Sequence, residues 1–529
     1  MFRSGVVYDY GVGYFGPLAR DGVWHEALIA QLSKAIPPGN PGFAGEALTN
    51  YHYYYDLLVS LIARVGIPVN FLLYRFFPVL FSILLGIGTY KLTQALFKNK
   101  FASLLSVFFA YFGSSFGWIV SLVKGEEIGG ESAFWANQPV SMNLNPPFAI
   151  SLVIIIFVVL LINSFIKRPK FLNGLVIVLL SGLLIGFKVY AGVILVGGMF
   201  LLTVKLAIFH KDYKLLPVFI ASLAISLAVF LPQSKDSVGL IKFQPFWLID
   251  TMIDAGDRVG IPNFTARRFA YLAEDKWIHL IGLETICFLI FLVGNLGTRI
   301  VGILGLRKGK LKNDLFVLVF ALMGLSFIPP LLFVQKGNPW NIIQFFYYFL
   351  YFAGIFAAWG LTKVPIPLMA LIIILTPISS VATFRSWLYP NPPAYLNTDE
   401  YEALKFLGKK EDGTVLKHPF DKNLRSQFSD PFPLSVYADN AYVSAYSGKE
   451  VFIEDVEQQL ILDVDYGSRL AQADRFFVEK NVSWSNGFLK ENDIKYVYLP
   501  KIYQLPTAEE EYSMIKIFEN NGANIYLIK

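Results

Sequence analysis

Ten runs of apolar residues follow one another along the chain, covering 69–97, 101–123, 147–166, 171–187, 191–209, 215–232, 277–306, 315–334, 341–361 and 364–383. A helix that crosses a bilayer needs roughly 20 such residues, so the pattern predicts about ten transmembrane helices. The fourth run is short and stops at "GFKVYAG", which predicts a tilted or broken helix there. Before residue 69 the pattern changes. In "RDGVWHEALIAQL" the side chains Trp24, Leu28 and Leu32 recur at helical spacing, while Asp21 and His25 share the adjoining face. That spacing predicts a short amphipathic helix suited to lying on a membrane surface. His52 and Asp56 repeat the four-residue interval at the start of a second helical stretch.

Beyond the last run the chain reads as a small soluble domain over 389–529, entered through the linker "NPPAYLN". "TDEYEALKFL" predicts a helix capped by Thr398 with acids in its first turn. "GTVLKHP", "AYVSAYSG" and "EVFI" read as strands, and "YGSRLAQADRFFVE" reads as a helix. "GFLKENDIKYVYLP" and "MIKIFENNGANIYLIK" each read as helix, turn, strand. The alternation predicts an α/β domain. The expected division is therefore 1–68, a first-loop segment; 69–383, a helical membrane domain; and 389–529, the α/β domain.

Charge orients this layout. "KNK" at 98–100, "KRPK" at 167–170, "HKDYK" at 210–214, "RKGKLK" at 307–312 and Lys363 occupy alternate connections. Cations gather on the cytoplasmic side, so the other connections, the first 68 residues and the tail are expected outside the membrane. An outward N-terminal segment needs a signal peptide or a preceding helix, and "MFRSGVVYDYGVGYFGPLAR" is neither, so a further helix is expected upstream of Met1. From Phe384 onward the chain holds 16 basic and 22 acidic side chains, and the remainder holds 29 and 17. A basic membrane body reflects loop anchoring and gives no reason to expect a nucleic-acid partner.

Composition agrees. Hydrophobic residues make up 55% of the 529, charged residues 16%, and the mean hydropathy is +0.51. Ordinary soluble domains carry about 25% charged residues, so an integral, multi-pass plasma (inner) membrane protein is expected. The single cysteine, Cys287, excludes an internal disulfide framework. No P-loop, Rossmann fingerprint or HExxH is present.

The polar residues that remain are candidates for chemistry. Asp21, His25, His52 and Asp56 offer a carboxylate as general base for a hydroxyl acceptor, or together a site for a divalent cation. A helix N-cap is the alternative role for Asp21, and aromatic packing is the alternative for the histidines. No motif demands a cofactor, and a divalent cation is the one candidate. In the outward loop 124–148, Glu131, Trp135, Asn137 and Gln138 are placed to hydrogen-bond a ligand. Lys188 and Lys336 sit at expected outer helix ends, where a cation is costly unless paired and a phosphate is a natural partner. Tyr190, Trp340 and Gln344 are expected to line the same pocket, with snorkelling to headgroups as the alternative for the lysines. Arg267 and Arg268 are the next candidates. Trp24, Trp118, Trp135, Trp247, Trp277, Trp340 and Trp387 all fall towards the expected outer side, an excess that suits stacking against sugar rings.

The arrangement resembles the GT-C superfamily of membrane glycosyltransferases, and within it the branch similar to protein O-mannosyltransferases and lipid A aminoarabinose transferases. The residues that carry the resemblance are "RDGVWHEALI", "PPGNPGFAGEALTNYHYYYD", "ESAFWANQPVSMNLNPPF", "EYEALKFL" and "VSAYSGKEVFI". It implies an all-α polytopic fold with a small extracytoplasmic α/β domain, and an acid of the first outer loop as base or acceptor-positioning group. That role falls to Asp21, with Asp56 or Glu46 as alternatives. Asp21 lacks a second acid directly after it, and the first helix is missing, both departures from the family pattern. The implied partners are a polyprenyl-phosphate sugar donor, an extracytoplasmic lipid, glycan or protein acceptor, and the bilayer. Two other classes stay open: a transporter or flippase of lipid-linked glycans, and a GT-C-like scaffold without activity.

Overall fold

The computed structural model describes residues 1–128, 133–234, 241–305, 313–389 and 391–529. By its internal contacts the chain forms two compact units, one of Met1–Pro78, Gln233–Lys235 and Leu388–Lys529, the other of Val79–Pro232 and Asp236–Trp387. The first-loop segment and the tail, separated by the membrane runs in sequence, thus fall within one unit.

In this first unit the N-terminus and the tail share a four-stranded sheet, in the order Val6–Tyr8, Gly11–Tyr14, Ala394–Asn397, Phe432–Pro433. Gly11 pairs with Asn397 and Tyr14 with Ala394. At Gly11 the backbone is left-handed (φ +116°), and a Cβ would run into the carbonyl of Leu396, so only glycine lets the two strands meet. A second sheet runs Thr414–Lys417, Ile494–Pro500, Ala523–Ile528, Met514–Glu519.

The helix Asp21–Leu32 is buried at ten of its twelve residues. Trp24, Leu28 and Leu32 pack with Leu48, Tyr53, Ala441 and Leu462, so the stripe expected on a membrane surface lies in a protein core. The helix is accordingly not amphipathic in its setting, because the tail residues Ala441 and Leu462 help cover the stripe expected to face the membrane.

Several tail elements differ from expectation. "AYVSAYSG" forms the helix Tyr442–Ser447, and "MIKIFENNGANIYLIK" is a strand pair, Met514–Glu519 and Ala523–Ile528. Asn520, at the turn of that pair, accepts from Gly522 N and Ala523 N, which favours a tight reversal over a helix. "EVFI" contributes only an isolated bridge, Val415 to Val451. The cap of helix Thr398–Gly408 is Asn397, whose side chain accepts from Glu400 N, one residue before the expected Thr398. The helix Val482–Glu491 followed by strand Ile494–Pro500 is as expected.

Among the described residues, eight helices are long and apolar enough to cross a membrane, and the chain is a multi-pass membrane protein of the all-α polytopic class with a small strand-containing C-terminal part. The run 101–123 is two helices, Lys100–Phe112 and Gly117–Lys124, bent by 46°, and would make a ninth span. The run 171–187 is a helix of 17 residues that ends at Phe187, directly before Lys188.

In the second unit, helix Gln344–Leu361 is buried at 14 of its 18 residues and forms the spine. Its tyrosines find partners across the core: Tyr348 Oη meets Ser151 Oγ at 2.6 Å, and Tyr351 Oη meets Thr89 Oγ1 at 2.7 Å. The break in the bent pair is satisfied in the same way. Buried Arg299 donates to the carbonyls of Gly113 (2.6 Å) and Ser114 (3.4 Å), so the end of one half-helix holds the guanidinium charge.

Candidate active site

Two helices of the first unit carry the central pair. His25 lies on Asp21–Leu32 and Asp56 on Tyr54–Ala63, and His25 Nδ1 meets Asp56 Oδ1 at 2.7 Å. Asp56 is fully buried and His25 is 5% exposed. Asp21 and His25 lie four apart on one helix, as the spacing predicts, and the contact of His25 with Asp56 crosses between the two segments. Helix Tyr54–Ala63 begins after His52, so His52 and Asp56 do not share a helical face, and His52 stacks on Tyr51 at 4.9 Å.

Burial pushes the Asp56 carboxyl up from its ordinary range, and the His25 contact acts in the opposite direction. Its second oxygen, Oδ2, is buried without a hydrogen-bond partner. A carboxylate held this way fixes the imidazole ring and favours the proton on Nδ1, which leaves Nε2 as the acceptor. The edge of Tyr55 supports the ring at 6.0 Å.

Asp21 is exposed at the first position of its helix, where the macrodipole favours an anion. It is not the cap, a place taken by Arg20 without a side-chain bond. Arg20 pairs with Glu457 of the tail at 2.5 Å. Buried Asp455 and the neighbouring Asp439 belong to the same group, with Asp439 accepting from Asp455 N (3.2 Å) and Val456 N (2.7 Å). The charge of Asp21 acts on Arg20, Tyr51, Tyr437 and Asp455, so the first-loop acid and the tail acids form one electrostatic neighbourhood. Glu46 is exposed, and its charge acts on Arg469.

Glu26, beside His25 in sequence, is a buried carboxyl that accepts from Tyr74 Oη (2.6 Å) and Tyr14 Oη (3.1 Å), with Tyr446 Oη in turn against Tyr14 Oη. Desolvation raises it to about 7 against the pull of those hydrogen bonds. Residue spacing alone marks no role for Glu26, because its tyrosine partners come from a strand, a later helix and the tail.

The second unit holds the cationic candidates. Lys188 interrupts two helices in extended conformation (φ −160°, ψ 112°) and is 2% exposed. Its Nζ reaches Asn145 Oδ1 at 3.4 Å and lies 5.5 Å from the Tyr190 ring centre. Tyr190 Oη donates to Gln335 Oε1 at 2.7 Å, which links the lysine to the turn bearing Lys336. Lys336 itself is exposed. Gln344 Nε2 donates to Asn341 Oδ1 at 3.3 Å within the following turn.

Other expectations resolve differently. Glu131 lies outside the described residues. Asn137 Oδ1 caps helix Gln138–Leu144 and Gln138 is buried with Nε2 on Ala110 O, while Asn137 Nδ2 and Gln138 Oε1 are buried without a hydrogen-bond partner. Arg268 is held by Glu284 at 2.6 Å and Asp250 at 3.1 Å, which removes it as a ready phosphate ligand, whereas Arg267 is exposed. Trp135 packs against Trp340 at 5.3 Å, and Trp247 does so at 5.3 Å. Among the described residues no three His, Cys, Asp or Glu side chains are grouped to hold a metal ion.

With this geometry in view, the fold can be matched to solved ones. The chain shares the architecture of the oligosaccharyltransferase of Archaeoglobus fulgidus in its apo form, at 13% identity and a TM-score of 0.50, over 93% of this chain and 67% of that one. The polytopic helical membrane fold expected from the sequence is thus the fold observed, and it is shared with that enzyme. The oligosaccharyltransferase AglB of Archaeoglobus fulgidus, in complex with an inhibitory peptide and a dolichol-phosphate, aligns at 13% identity and a TM-score of 0.48, over 94% of this chain and 67% of that one. ArnT from Cupriavidus metallidurans bound to undecaprenyl phosphate aligns at 10% identity and 0.35, over 99% and 95%. No protein-family model and no curated protein matches the chain.

Proposed function

We propose that the protein is a membrane glycosyltransferase that moves a sugar from a polyprenyl-phosphate donor to an extracytoplasmic lipid, glycan or protein acceptor. The observation that carries this reading is the buried His25–Asp56 pair beside exposed Asp21, in a GT-C-like fold. In the reaction the acceptor hydroxyl oxygen bonds to the anomeric carbon as the bond from that carbon to the donor phosphate oxygen breaks. The electron pair leaves on the phosphate, and the hydroxyl proton passes to the base. In the first unit His25 Nε2 takes that proton, Asp56 stabilises the imidazolium that forms, and Asp21 orients the acceptor. In the second unit Lys188 and Lys336 stabilise the phosphate as negative charge develops on it, with Tyr190 and Gln344 lining their pocket.

Activity with Asp21→Asn, measured at matched membrane expression, separates this reading from a transporter or an inactive scaffold. Loss of sugar transfer with intact folding supports the enzyme. Undiminished transport of a lipid-linked glycan with no transfer in either form contradicts it.

A further inference from the structure

In the second unit three indoles and one guanidinium form a single group. Trp340 contacts Trp135 at 5.3 Å with planes 34° apart, and contacts Trp247 at 5.3 Å with planes 62° apart. Arg258 Cζ stands 3.9 Å from the Trp135 ring centre and 5.6 Å from that of Trp340. The four come from three separate stretches: the loop before helix Gln138–Leu144, the segment around helix Trp247–Asp254, and the turn Pro339–Ile343. All four are only half-buried.

The backbone is committed to this arrangement. Trp135 is left-handed at φ +61°, which is costly for a bulky residue and persists only where its surroundings demand it. The Arg258 segment is tied down by Lys124 Nζ, which donates to Gly256 O at 2.7 Å and to Arg258 O, and by Ile261 N on Ile253 O at 2.8 Å. Interfacial tryptophans need none of this, because each anchors singly at headgroup depth. A lipid tail is also a poor occupant, since it would strip water from the guanidinium without replacing its hydrogen bonds. A pyranose meets both demands. Its axial C–H bonds present an apolar face to the negative faces of the indoles, and its hydroxyl oxygens accept from N–H donors.

We propose that Trp135, Trp247 and Trp340, held by Arg258, are a saccharide-binding platform that takes the pyranose ring of the lipid-linked donor. This rests on the glycosyltransferase reading and assigns Trp340 to the sugar, where the sequence had placed it in the phosphate pocket. Arg258 is a positioning residue that fixes the two indoles it covers.

The test measures affinity of the full chain in nanodiscs for undecaprenyl phosphate and for the same lipid bearing glucose, mannose or galactose. The wild type is expected to bind one glycosylated lipid about tenfold more tightly than the bare lipid, the equivalent of an aromatic contact. Trp340→Ala and Trp135→Ala should erase that difference while leaving bare-lipid affinity intact. Trp340→Phe, which keeps a ring, should retain part of it and guards against a folding defect. Equal binding of bare and glycosylated lipids by the wild type, or a preference that survives both alanine variants, overturns the platform alone. Failure to bind any of these lipids overturns the transferase reading and the platform with it.

Discussion

His25 Nδ1 and Asp56 Oδ1 are 2.7 Å apart although 31 residues separate them in the chain. Each comes from a different helix of the first unit, and the contact is closed off from solvent. A buried carboxylate at this distance sets the tautomer of the ring and stabilises its charged form. Asp56→Asn keeps the shape and removes the charge. It is expected to lower turnover by roughly a hundredfold or more, the usual weight of a positioned acid–base group. Donor KM should stay unchanged, because the pair acts on the proton and not on binding. Steady-state kinetics with the purified protein checks this, and a rise in KM alone would assign the pair to structure.

Stability of the first unit is expected to depend on pH through three carboxyls outside the membrane spans. Burial raises Glu26 and Glu400 to about 7 and Glu454 to about 8, from an ordinary 4.5. A raised folded-state value favours the protonated form, so the stabilisation is complete below about pH 4.5 and is lost as pH rises through 7 to 8. Thermal unfolding followed from pH 5 to pH 8.5 should show a falling midpoint, flattened in Glu26→Gln and Glu454→Gln. A midpoint that rises over this range would contradict the assignment.

Lys188→Ala and Lys336→Ala should each reduce turnover by about a hundredfold, or on the order of 3 kcal/mol of transition-state stabilisation. Arginine at either position should restore part of the charge effect without the geometry. Turnover and donor binding both near wild type in the two alanine variants would leave the lysines as headgroup anchors and move the phosphate site to Arg267.

The long-range features were legible in the sequence where a single segment sufficed. Apolar runs of the right length gave the membrane helices, and "GFKVYAG" gave the interruption at Lys188, because bilayer thickness and helix rise are local constraints. Pairing between distant segments was not legible. Spacing puts Asp21 and His25 on one helical face, but it carries no sign that His25 meets Asp56 of the next segment, a contact set where the core of Trp24, Leu28, Ala441 and Leu462 fixes the helix. The same limit hid Glu26, whose hydroxyl donors come from Tyr14 and Tyr74, and Arg258, whose indole partners lie in two other loops. In the tail, "AYVSAYSG" looked like a strand because its β-branched and aromatic residues suit one, but as a helix its Tyr442, Val443 and Ser444 are buried.

Orientation can be read by labelling in a Cys287→Ser background. The alternation of basic connections predicts that Lys422→Cys, exposed in the tail, reacts with an impermeant maleimide in intact cells. Lys170→Cys, exposed in a basic connection, should react only after permeabilisation. The reverse pattern would invert the topology and place the His25–Asp56 pair on the cytoplasmic side.

The central claim is sugar transfer from a lipid phosphate. The full chain in liposomes, supplied with radiolabelled polyprenyl-phosphate sugar and an extract of envelope lipids, glycans and proteins, is predicted to move label to an acceptor and release unglycosylated polyprenyl phosphate. The His25→Ala variant should fail to do so at equal protein level. No transfer by the wild type across a panel of donor sugars, or equal transfer by wild type and His25→Ala, would contradict the account.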